Sequence, residues 1–136
     1  MDRFKSPQIQ TDADLLKVML YIDLNPKRAH VVSHPDQNSF SSYPYYAHGT
    51  DDPLITPSPS YLELGLNPEQ RQLAYRALVD EILKDDWKEK KPYSSVYFIG
   101  DPDWVIIKNK YLKEQSHFLW HRWRLRYQQK FGASAA

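Results

Sequence analysis

The stretch Thr11-Asp-Ala-Asp-Leu-Leu-Lys-Val-Met-Leu-Tyr-Ile-Asp-Leu-Asn-Pro26 decides the fold class. Thr11 is a good N-cap, and Asp14 follows it at capping-box spacing. Leu15, Leu16, Val18, Met19, Leu20, Ile22 and Leu24 then make the run almost wholly apolar. Such a run predicts a helix over 12–24, buried on most sides rather than amphipathic. Asn25-Pro26 is expected to stop it, because the residue before proline disfavours the α region. A short turn or helix over 27–32 is expected to follow.

Further signals downstream are also helical. Asn67-Pro68-Glu69-Gln70 opens a second helix, with Asn as N-cap and Pro in the first turn. Leu73, Ala74, Ala77, Leu78, Ile82 and Leu83 give it an apolar stripe that ends near Lys84. Asp101-Pro102 opens a third helix by the same chemistry, and a fourth is expected over 115–130. Between the first two lies a Ser, Pro and Tyr-rich stretch, 33–66. It is expected to be ordered loop with short helical turns, because Phe40, Tyr43, Tyr45, Tyr46 and Tyr61 offer too much apolar area to stay in water. Residues 85–92 form a charged connector, and residues 95–99 suit a short extended piece. The expected fold is therefore mainly α: one domain over 1–136, about four helices, little or no sheet, and frayed ends at about 1–8 and 132–136.

Composition bounds the function. The 136 residues carry 18 Lys plus Arg against 17 Asp plus Glu, so the chain is not basic throughout. The charge is nevertheless uneven: residues 1–50 are neutral, 51–103 carry net −5, and 104–136 carry net +6. A basic end of this kind either neutralises an acidic middle or faces a phosphate backbone. Cysteine is absent, which excludes disulfides, thiolate metal sites and thiol nucleophiles. No apolar run is long enough to span a bilayer, and no leader is visible, so a cytoplasmic location without a membrane partner is expected.

Two stretches carry a resemblance, and a third supports it. Tyr21-Ile-Asp-Leu-Asn-Pro-Lys-Arg-Ala29 is followed by Phe40-Ser-Ser-Tyr43, and later by Phe98-Ile-Gly-Asp-Pro-Asp-Trp-Val105. Together they resemble the REP-associated tyrosine transposases, a branch of the single-tyrosine transposases that use a His-hydrophobic-His metal site. The resemblance covers about residues 10–112. It implies that Tyr21 matches the nucleophile that attacks a DNA phosphate, helped by a bound Mg²⁺ or Mn²⁺ ion. The five histidines here, His30, His34, His48, His117 and His121, contain no such pair, so no cofactor is expected. Only 20 residues precede Tyr21, too few for the family's metal-binding sheet, so the chain resembles the family's C-terminal part.

The expected function is therefore non-catalytic binding of DNA, with hairpin or repeat DNA as the target class. Lys27, Arg28, Lys108, Lys110, Arg122, Arg124, Arg126 and Lys130 are the candidate phosphate contacts. In His121-Arg-Trp-Arg-Leu-Arg-Tyr-Gln-Gln-Lys130 the arginines alternate with aromatics, which suits phosphate contact with base stacking. Leu119, Trp123 and Tyr127 at helical spacing are more often core, which would place Arg122, Arg126 and Lys130 on a neighbouring face. His117 and His121 have metal-ligand spacing but also suit an exposed basic helix. Two other readings stay open. One is a protein-interaction module, with a homodimer as one form and Tyr43, Tyr45 and Tyr46 as contact anchors; the other is half of a split transposase.

Overall fold

Thr11 starts the first helix through its side chain. Its Oγ1 accepts from the Asp14 N–H at 3.2 Å, and its hydroxyl donates to Asp14 Oδ2 at 2.6 Å. The computed structural model describes residues 6–84 and 96–131, without the side chains of residues 127 and 129–131. The charged connector over 85–92 and the tail from 132 lie outside the described residues.

Helix α1 spans Asp12–Arg28 and so passes through the expected stop. Proline lacks only the N–H that would reach the Ile22 carbonyl, and it is tolerated here in the last turn. The carbonyls of Asn25, Pro26 and Lys27 are taken by the N–H groups of Ala29, Val31 and His30, all within 2.9 Å. His30 closes the helix at φ 57°, the left-handed cap position usually held by glycine.

The burial expected of α1 is corrected. Leu20, Asp23 and Leu24 are its buried residues, while Ile22 is 53% exposed. These three share one stripe at i, i+3 and i+4, so a single narrow face meets the core.

The Tyr-rich stretch folds as expected, into short turns. Helix α2 is Tyr43–His48 and helix α3 is Pro59–Leu62, with a 3₁₀ turn at Pro35–Gln37. Gly49 ends α2 at φ 71°, and a side chain there would collide with Gln72. Helix α4 runs Pro68–Lys84. Asn67 Oδ1 accepts from the Gln70 N–H at 2.9 Å, while Gln70 Oε1 accepts from the Leu66 N–H at 2.9 Å. Asn67→Ala is expected to cost about 1 kcal/mol, read as a lower urea midpoint at unchanged slope.

Of the apolar stripe predicted for α4, Leu78, Ile82 and Leu83 pack against the core, but its centre lies at residues outside that stripe. Tyr75 and Val79 are fully buried, whereas Leu73 is 62% exposed. One core forms from Leu20, Leu24, Tyr43, Tyr46, Ala47, Tyr61, Tyr75 and Val79, contributed by α1 to α4.

Helix α5 is a single element, Pro102–Phe131, in place of the two helices expected there. No glycine or proline interrupts residues 103–131, so nothing ends it midway. At 30 residues it is about 45 Å long. Its start is fixed by a two-residue parallel pair, β1 Gln8–Ile9 with β2 Phe98–Ile99. Gln8 therefore lies inside an element rather than in a frayed end. Asp101 caps α5 by accepting from the N–H groups of Asp103 at 2.9 Å and Trp104 at 3.3 Å. From Tyr111 to Arg126 every residue of α5 is exposed. Leu119 and Trp123 are thus surface residues, and the side chain of Tyr127 lies outside the described set.

Candidate nucleic-acid interface

The two stretches behind the family resemblance touch one another. Asp23, on the buried stripe of α1, accepts from the Ser42 hydroxyl at 2.5 Å and from the Tyr75 hydroxyl at 2.7 Å. Burial pushes the Asp23 carboxyl above its usual range, and the bonds from Ser42 and Tyr75 oppose that push. Burial, reinforced by Asp23, holds the Tyr75 phenol far above the ordinary phenol range, so it stays a donor. Tyr43 is pushed up to about 12, chiefly by burial and then by the carboxylates of Asp36 and Asp80.

This network places Tyr43 and Tyr46 in the core, with Tyr45 half-buried. Tyr46 packs against Tyr61 at 4.7 Å and Tyr75 at 5.3 Å between ring centroids, and donates no surface to a partner. The expectation of Tyr43 and Tyr46 as contact anchors is corrected: their rings fill the space that α1 and α4 leave between them. Asp23 and Tyr75 carry the arrangement, and neither is marked by any local motif.

The resemblance motif itself draws Tyr21, Asn25 and Arg28 together. The Arg28 guanidinium stands over the Tyr21 ring at 4.1 Å and donates to Asn25 Oδ1 at 3.3 Å. Lys27 Nζ donates to the Ser33 carbonyl at 2.5 Å. The divalent ion that the resemblance implies does not fit the donor set. The sequence has no His-x-His pair, and among the described residues no group of three His, Asp or Glu is placed to hold a metal. His117 and His121 are exposed, one turn apart on α5.

The remaining candidate cations line α5. Lys108 stands over Trp104 at 5.5 Å, Arg122 over Phe118 at 5.6 Å and Arg124 over Trp120 at 5.3 Å, each four residues on from its ring. Among the described residues, no carboxylate lies within ion-pair distance of Lys108, Lys110, Arg122, Arg124 or Arg126. At 100° per residue, Lys108, Arg122 and Arg126 share one side of the helix, and Lys110, Lys113 and Arg124 share the other. The side chain of Lys130 lies outside the described set. Helix α5 therefore presents cations on both sides, interleaved with exposed aromatics.

The chain matches no protein-family model, no curated protein and no solved structure. The described residues form a mainly α-helical domain with a tyrosine core and one long exposed helix. Among the described residues, no helix is long and apolar enough to cross a membrane.

Proposed function

We propose that the chain is a non-catalytic, transposase-derived DNA-binding protein whose contact surface is α5, with Lys27 and Arg28 as a secondary patch. The observation that carries this reading is the set of α5 cations stacked on aromatics of their own helix, with no carboxylate at ion-pair distance among the described residues. Stacking holds each guanidinium or ammonium in place while leaving its N–H groups for phosphate oxygens. Neighbouring rings offer π-faces to bases.

Fluorescence anisotropy with single-stranded, hairpin and duplex DNA at two salt concentrations tests it. Log K is expected to fall by about one unit per log salt for each phosphate contact. Reversing Arg122 and Arg126 together to glutamate should remove about two units from that slope. Absence of binding at low salt, or an unchanged slope in the double variant, overturns the reading. The protein-interaction alternative draws on the same helix, because Ile107, Leu112, Leu119 and Leu125 are also exposed. A solution mass above that of one chain, without DNA binding, favours it.

A further inference from the structure

A groove of about 580 Å³ lies where the chain entering β2 passes α5, lined by Tyr97, Leu112, Lys113, Ser116, His117 and Trp120. Its volume falls within the range of small-ligand sites, about 300–1,000 Å³. Its lining has two aromatic side chains, a leucine, and three groups that can bond to an anion or a polar edge. The carboxylate of Glu114, on the same helix, is not part of the lining.

We propose that this groove is a nucleotide site, in which Tyr97 and Trp120 hold the base and Lys113 and His117 hold the phosphate. Tyr97 is anchored for this role, because its carbonyl accepts from the Gln8 N–H at 2.9 Å where β1 meets β2, while the residue stays 48% exposed. Trp120 is 55% exposed and carries the Arg124 guanidinium over its ring at 5.3 Å, which adds positive charge to the rim. Ser116, one turn before Trp120, supplies a hydroxyl able to donate or accept at a base edge. An anionic, planar ligand matches both the charge and the aromatic lining; a neutral apolar one would leave Lys113 and His117 unused.

Two sources can supply that chemistry: a free mononucleotide, or an unpaired nucleotide of a DNA strand. The second rests on the DNA-binding reading above; the first does not. Titration of the full chain with dAMP, with a short single strand, and with deoxyribose 5-phosphate as the base-free control separates them. Wild type is expected to bind dAMP or the strand and to bind the base-free sugar phosphate far more weakly. Trp120→Ala and Tyr97→Ala should each lower affinity by about 5- to 150-fold, the loss of one stacked ring. Trp120→Phe should restore most of it. Both positions are exposed, so circular dichroism should register no loss of fold.

Binding of dAMP without any strand identifies a free-nucleotide site and defeats the DNA reading alone. Strand binding that Trp120→Ala and Tyr97→Ala leave unchanged defeats the groove proposal and spares the DNA reading. Equal binding of dAMP and the base-free sugar phosphate also overturns the groove proposal, as does binding of neither dAMP nor strand.

Discussion

Tyr75→Ala is expected to cost about 4 kcal/mol, the usual range for emptying a large aromatic site being about 3–5. Tyr75 is wholly buried and packs against three other tyrosines: Tyr43 at 6.2 Å, Tyr46 at 5.3 Å and Tyr61 at 5.9 Å between ring centroids. Those rings come from α2 and α3, so the vacated volume borders most of the core. One neighbour also has a fixed polar end. The Tyr61 hydroxyl donates to the Tyr46 carbonyl at 2.9 Å, which prevents simple collapse into the void. Calorimetry should show Tm falling by more than about 10 °C in a domain of this size. Tyr75→Phe keeps the ring and loses only the donor to Asp23, so about 1–2 kcal/mol is expected. Similar losses for the two variants would mean that the hydroxyl, not the packing, dominates.

Asp23→Ala removes the acceptor that joins α1, α2 and α4. The Ser42 and Tyr75 hydroxyls then lose their partner in the interior, and each stranded group costs about 1–3 kcal/mol, giving a net loss of order 3 kcal/mol. The pH dependence carries a distinct signature. Burial raises the folded-state pKa of Asp23 above its ordinary 3.8. Protonation of this group therefore contributes stability that is fully present below 3.8 and is lost as pH rises through the raised value. Asp23→Asn mimics the neutral acid and should flatten that part of the curve. Between about pH 4 and pH 7 the urea midpoint of wild type should fall relative to that of Asp23→Asn as pH rises, so any advantage of wild type over the variant is largest at the acid end. Parallel curves would mean that Asp23 titrates alike in the folded and unfolded chain.

Local chemistry is legible in the sequence wherever it acts over a few residues. Thr11, Asn67 and Asp101 each announce a helix start, and each caps one through its own side chain. Proline was less informative, since Pro26 marks the last turn of α1 rather than its stop. What escapes the sequence is separation. Asp23 meets Ser42 and Tyr75 across 19 and 52 residues, and no short-range pattern distinguishes it from a solvated aspartate. The same limit explains the tyrosines. Tyr43 and Tyr46 suit a surface or a core equally until α4 supplies Tyr75 as their neighbour. Of the candidate contacts, the alternating arginines of α5 were visible as a string. That they are exposed over Tyr111–Arg126 is set by the tertiary arrangement, which spacing alone does not reveal.

The two-residue bridge between β1 and β2 divides the protein's cooperativity. The tyrosine core joins α1 to α4 through buried rings and a shared carboxylate, so these elements open together. Helix α5 is held to them at its base, through Gln8, Gln10 and the turn at Asp101. Beyond Leu112 its amides are guarded mainly by their own helical ladder, whose protection falls off as a helix end frays. Amide exchange is therefore expected to be slow in the body, α1 to α4, and fast in the arm, α5 beyond Leu112. The segment that begins at Gln8 serves as the latch between them, and any partner that seizes the arm draws first on that latch and only then on the body.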